Sequence, residues 1–271
     1  MLPTVDFCGL ELTRMVIGAN PFGGYSHQNP RRDAEMRDWN TPDRIRETWA
    51  RAEAAGINGF VTNNETPHVI DTTAAYLADG GQLTWIAQVN NNREPDFVAA
   101  LNRVKEIGAS AAFLHGGVMD SYYQRRDEDG LRRAIEHGKS LGLPMGTAGH
   151  TPAVHYWIDS LNLVDFHVVC FFNCGSVHAG RGDRFYLGDV FEAVKCIQAL
   201  DKPCIGYKIM GSGRLCPRMA FEYAFSNIKP GDIVNVGMHR GDRDDMVEAN
   251  VAMLSEVLDE LGVAEYATTP A

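Results

Sequence analysis

Short apolar runs and longer amphipathic stretches alternate along this chain, and the alternation predicts repeated strand–helix units. Buried strands are expected at 15–19, 57–62, 83–89, 111–114, 143–148, 166–172, 204–209 and 233–236. A helix is expected after each: 41–56 behind the Thr41-Pro42 start, one from about Pro67, 95–107, 130–141, one capped by Thr151-Pro152, 189–200, 217–225 and 244–261. In 95–107, Phe97, Leu101, Val104 and Ile107 fall on one face. Two brief runs, 5–7 and 10–12, flank Cys8-Gly9 and read as a hairpin ahead of the first unit. The polar stretch 25–40 has no periodicity and is expected to be a working loop, and the tail up to Ala271 is expected to fray. Eight strands each followed by a helix, with no linker-like composition, predict one α/β domain over 1–271: a (β/α)8 TIM barrel with an N-terminal β-hairpin.

In such barrels chemistry collects at the carboxyl ends of the strands. Those ends carry Asn20, Asn63-Asn64-Glu65, Gln88 with Asn90 to Asn92, His115, His150, Asn173, Lys208 and His239. Lys208 stands out because it interrupts an apolar run that closes on Gly211-Ser212-Gly213. An amine there is aimed into a site or snorkels out of the core. His115 and His150 end adjacent strands, Glu65 offers a carboxylate from across the ring, and His239 offers a third imidazole. Taken one at a time, each His reads as a capped loop residue. Taken together, Glu65, His115, His150 and His239 are candidate ligands for a divalent metal such as Zn, Mn or Fe. Near a cation Lys208 serves as a general base or proton donor, whereas in an apolar pocket it forms a Schiff base with a carbonyl. Lys208, His115 and Glu65 are the catalytic candidates. Asn20, Asn64, Gln88, Asn90 and Arg181 are the candidates for holding substrate hydroxyls. The segment 175–188, with His178, Arg181, Asp183 and Arg184 between glycines, is expected to be a lid.

A formal charge of −10 and a pI near 5.3 argue against nucleic acid or an anionic membrane surface as partner. No apolar run approaches a membrane span, and the start lacks a signal-peptide pattern, so a cytoplasmic protein with a small-molecule substrate is expected. The six cysteines show no paired spacing, consistent with reduced thiols. Cys170 and Cys174 on one strand would stand about 13 Å apart, too far to share an ion.

The chain resembles the aldo/keto reductase superfamily over nearly its whole length. Gly9-Leu10-Glu11-Leu12 and Ile17-Gly18-Ala19-Asn20-Pro21-Phe22-Gly23-Gly24 look like that family's opening hairpin and first strand. Gly56-Ile57-Asn58, the segment 146–152, and Tyr207 through Leu215 are similar to its second, fifth and seventh strand regions. Val236-Gly237-Met238 with Met246-Val247-Glu248-Ala249-Asn250 resembles the segment that grips the 2′-phosphate of NADPH. The resemblance implies cofactor contacts at Tyr207, Gly211, Ser212 and Asn250. It also implies a catalytic Asp, Tyr, Lys and His, yet the Asp position is Val61, the Tyr position is Thr66, and the third strand has no Lys. Only His115 is kept. The pair that would hold the nicotinamide amide falls at Ala148-Gly149. Reduction by NADPH is therefore disfavoured, because no acid is left to protonate the alkoxide.

The leading expectation is metal-assisted, non-redox proton transfer on a sugar-like or hydroxy-carbonyl metabolite, as in a lyase, isomerase or epimerase. The second is an NADPH oxidoreductase whose acid is Tyr25 or His150. The third is a barrel that binds a ligand without catalysis.

Overall fold

The computed structural model describes residues 2–175 and 184–263. β1 (Thr4–Phe7) and β2 (Leu10–Thr13) pair antiparallel, with Phe7 opposite Leu10. Eight parallel strands follow: β3 (Met15–Gly18), β4 (Gly59–Asn63), β5 (Thr84–Val89), β6 (Ala111–Leu114), β7 (Met145–Gly149), β8 (Phe166–Cys170), β9 (Cys204–Tyr207) and β10 (Ile233–Gly237). They close in sequence order, and β10 bonds back to β3. The expected barrel and hairpin are both present.

The strands are buried on both faces, which is why they read as continuous apolar runs. One face fills the barrel with Val16, Val61, Ile86, Phe113, Phe166, Val168, Ile205 and Ile233. Phe7 and Leu12 of the hairpin join this inner cluster, and the Phe7 ring meets Phe166 edge-on at 5.2 Å. The hairpin thus plugs the amino end of the barrel and leaves the carboxyl end for chemistry. The other face packs on the helices, as where Trp49 lies 5.0 Å from both Phe60 and Tyr76.

The helices are α1 (Asn20–Gly23), α2 (Pro30–Trp39), α3 (Pro42–Ala54), α4 (Pro67–Ala78), α5 (Phe97–Ile107), α6 (Gly116–Arg125), α7 (Glu128–Ser140), α8 (Pro152–Ser160), α9 (Gly188–Ala199), α10 (Pro217–Asn227) and α11 (Met246–Glu260). Several begin with a proline at the first turn, and α3, α5 and α7 are capped by Thr41, Asp96 and Asp127. No helix among the described residues is long and apolar enough to cross a membrane.

Three expectations change. The stretch 25–40 is no loop, because it contains α2. That helix buries only Met36 and so shows no apolar stripe; it is held by the Asn29 cap on the Arg32 N–H (2.9 Å), Pro30, and an Arg31–Glu35 pair. A second unexpected helix, α6, starts at Gly116-Gly117, between the expected strand 111–114 and the expected helix 130–141. The strand expected over 204–209 ends at Tyr207, leaving Lys208 just beyond it. The lid expectation with His178, Arg181 and Asp183, and the tail beyond Val263, lie outside the described residues.

Candidate active site

Lys208 follows β9 with φ at +56°, the left-handed region that a side chain enters at a cost. The turn is closed by the Gly211 N–H donating to the Lys208 carbonyl at 2.9 Å. Its ammonium Nζ is buried and has no hydrogen-bond partner among the described residues. Nζ lies over the Tyr207 ring, 5.7 Å from the centroid, and the His150 ring approaches the same phenol edge-on at 6.5 Å. The Tyr207 hydroxyl donates across the mouth to the Gly149 carbonyl at 3.3 Å, and burial holds its pKa well above the usual phenol value. The Cys170 thiol, under the same phenol, is pushed up to about 11 by burial.

His150 is clamped by a residue that the strand ends do not reveal. Asp120, in α6, accepts from His150 Nδ1 at 2.6 Å and from the His150 backbone N–H at 3.3 Å. An imidazole that donates Nδ1–H to a carboxylate has Nε2 as its basic nitrogen, the arrangement of a catalytic acid–base histidine. His115 caps α6, its Nδ1 accepting from the Gly117 N–H at 3.2 Å. Burial is the main cause that lowers its pKa, so the ring is neutral at pH 7 and carries its proton on Nε2. Glu65, His150, Lys208 and Asp120 all act electrostatically on His115. Gly116 makes room for His150: a Cβ there would stand 2.8 Å from His150 Cε1.

The expected metal set is not assembled. Among the described residues, no three His, Cys, Asp or Glu side chains are grouped to hold an ion. His150 Nδ1 is bonded to Asp120, and Glu65 Oε2 accepts from Asn92 Nδ2 at 2.7 Å. His239 is turned to another neighbourhood: its Nδ1 meets Asn40 at 3.1 Å and its ring packs edge-on against Trp39.

Two substrate candidates, Asn64 and Asn90, bond to backbone. The Asn64 amide donates to the Asn90 carbonyl (2.8 Å) and accepts the Asn90 N–H (2.9 Å), bracing two loops. Asn90 in turn accepts from the Asn92 N–H with its side chain. Asn20 contacts His27 Nε2 at 3.4 Å, and Gln88 lies half-buried on β5, in register with Asn63. Arg181 lies outside the described residues. Asn235 is not among the residues that the strand ends pick out, yet on β10 it alternates with inward Ile233, and its buried Oδ1 has no hydrogen-bond partner among the described residues. Period-two alternation alone could have flagged it.

The residues do not fit the dinucleotide that the fold family implies. Tyr207 is bonded to Gly149, where the nicotinamide amide is expected. Phe185 covers Gly211, and Gln28 Nε2 donates to the Ser212 carbonyl at 2.9 Å, while the Ser212 hydroxyl meets Cys174 Sγ at 3.1 Å. Asn250 is buried within α11. The arginines near the expected 2′-phosphate grip are paired with acids: Arg240 with Glu47 and Asp244, Arg243 with Asp245. A groove of about 790 Å³ lies at the opposite, amino end, beside Cys8 and Pro203. Its charged groups already have partners, with Lys139 on Asp165 at 2.7 Å and Lys202 on Asn162 at 2.8 Å.

No protein-family model matches the chain, and no curated protein matches it. Among solved structures it is similar to a candidate aldo-keto reductase from Pseudomonas aeruginosa, with TM-score 0.63, 18% identity and 94% of each chain covered. It is also similar to 3-hexulose-6-phosphate synthase from Salmonella typhimurium (TM-score 0.55, 14% identity, 81% of this chain and 94% of that one). A third is dihydropteroate synthase from Yersinia pestis (TM-score 0.54, 11% identity, 97% of this chain and 100% of that one). At such identities the likeness is one of fold, and the expected resemblance to aldo/keto reductases holds at that level.

Proposed function

We propose that this chain is an enzyme that moves a proton on a small hydroxy-carbonyl metabolite without net redox, as an isomerase, epimerase or lyase does. The observation that carries the reading is the Asp120–His150 pair at the barrel mouth. Asp120 fixes the tautomer and orientation of His150, and Nε2 acts as general base on the C–H beside the carbonyl. The neutral His115 donates Nε2–H to a substrate oxygen, and the Lys208 ammonium stabilises the enolate charge that develops. Glu65 at the rim and Asn235 inside accept hydroxyls. No metal is needed for these roles, because the cation is supplied by Lys208.

The test is hydrogen exchange. Dihydroxyacetone and glyceraldehyde are incubated with the protein in D2O, and loss of the carbon-bound proton signals is followed by NMR. His150→Ala is expected to slow exchange about 10²- to 10⁴-fold, and Asp120→Asn to slow it similarly. Exchange at the wild-type rate in His150→Ala overturns the reading.

One observation favours the oxidoreductase as the rival. The Tyr25 hydroxyl lies 3.2 Å from Thr66 Oγ1, which puts a phenol beside the position where the resemblance expects a tyrosine acid. Fluorescence titration with NADPH separates the two: micromolar binding supports the rival, and its absence removes it.

A further inference from the structure

Of the six lysines, Lys208 alone buries Nζ without a hydrogen-bond partner among the described residues. Lys139 is paired with Asp165, Lys195 with Glu192 and Lys229 with Asp232. Lys202 donates to Asn162, and Lys105 is exposed. A charge-stabilising ammonium needs no special backbone, since its long stem reaches many places. Lys208 instead starts from a left-handed φ of +56°, and its amine is laid on the Tyr207 ring at 5.7 Å. Backbone strain of this kind persists where the surrounding structure fixes one direction for a side chain. An amine fixed in direction, screened from water and left without an acceptor is suited to form a bond as well as to place a positive charge beside the developing enolate.

We propose that Lys208 is a covalent catalyst that forms a Schiff base with the substrate, a small aldehyde or ketone bearing a hydroxyl next to its carbonyl. The inference deepens the proton-transfer reading above and rests on it. In the first step the Lys208 ammonium gives one proton to His150 Nε2, and the amine attacks the carbonyl carbon, so an N–C bond forms and the C=O pair moves to oxygen. That oxygen takes a proton from His115 Nε2–H or solvent. The attacking nitrogen, –NH2+– after the bond forms, gives its second proton back to that donor, leaving a neutral carbinolamine with a lone pair on nitrogen. His150 returns its proton to the hydroxyl, which leaves as water while the nitrogen lone pair forms the C=N bond. The iminium carries the positive charge that the ammonium carried before, so charge is conserved. It then acidifies the neighbouring C–H, which His150 removes to give an enamine. The class of substrate follows: a free carbonyl to condense with the amine, and a hydroxyl for the acceptors Glu65 and Asn235.

The test is borohydride trapping on the wild-type protein. Glycolaldehyde, dihydroxyacetone and pyruvate are each added with sodium borohydride, and the reduced adduct is mapped by peptide mass spectrometry. The expected result is one adduct on the peptide containing Lys208, formed at least tenfold faster than on any other lysine and absent in Lys208→Arg. No adduct with any of the three probes, or labelling spread evenly over the exposed lysines, overturns the inference. Because the adduct is mapped on the wild type, the result does not depend on how the variant folds. Exchange lost in His150→Ala without trapping leaves the proton-transfer reading standing and removes the covalent step. Trapping at Lys208 with exchange unaffected in His150→Ala does the reverse.

Discussion

Behind the barrel wall, His155 of α8 and His167 of β8 share one hydrogen bond, Nδ1 to Nδ1 at 3.2 Å, and both Nε2 atoms lack hydrogen-bond partners among the described residues. Burial drives both rings down to a pKa of about 3, helped for His155 by His167 and, for His167, by Lys202 and Lys229. Asp159 stands 3.5 Å from His167 Nε2 and does not reverse the shift. The sign follows from linkage. A histidine lowered on folding binds protons more readily in the unfolded chain, so stability falls as pH drops from the unfolded value of 6.5 towards 3. At pH 5 the unfolded ring is almost fully protonated and the folded one is neutral, a loss of about 2 kcal/mol per ring relative to pH 8, or ~4 kcal/mol for the pair. Replacing both by leucine removes donor and acceptor together and leaves no orphaned nitrogen, so the fold should tolerate it. Urea unfolding followed by circular dichroism, at pH 8 and pH 5, measures the effect. The wild type should lose about 4 kcal/mol more than the His155→Leu/His167→Leu protein across that interval, since every other titrating group is common to both. Equal losses in the two proteins would refute the reasoning.

Three further outcomes are expected. Gly116→Ala should slow exchange on dihydroxyacetone by about 10²-fold with little change in melting temperature, because its Cβ would press on His150 Cε1 from 2.8 Å. Lys208→Gly should raise stability by about 1 kcal/mol in urea titrations, as glycine enters the left-handed region freely, while trapping is abolished. EDTA should leave exchange unchanged, because Lys208 supplies the cation and the candidate metal ligands are not grouped; a drop restored by Zn or Mn would contradict this.

The barrel was legible because parallel strands buried on both faces leave long apolar runs, and capping residues such as Thr41-Pro42 and Thr151-Pro152 mark where helices begin. Helix α2 was not, since only Met36 is buried and no stripe forms. Helix α6 was missed because its glycine start, Gly116-Gly117, follows directly on the strand end, and with it went Asp120. The partnership of Asp120 with His150 spans thirty residues and leaves no local trace. Lys208 could be singled out by polarity alone, but its left-handed backbone could not, because nothing but the turn that follows imposes it. The backbone bonds of Asn64 and Asn90 could not be read ahead, because an amide at a strand end satisfies buried backbone as readily as a ligand.

Helix α6 begins on His115 and, one turn later, carries the carboxylate that holds His150. Both therefore ride on a single stiff rod. Tilting or sliding that rod would move His115 and the carboxylate that holds His150 together, so on the proposed reading both roles would fail at once. Anyone wishing to silence the protein, or to transplant its chemistry to another barrel, has a ten-residue handle by which to do it.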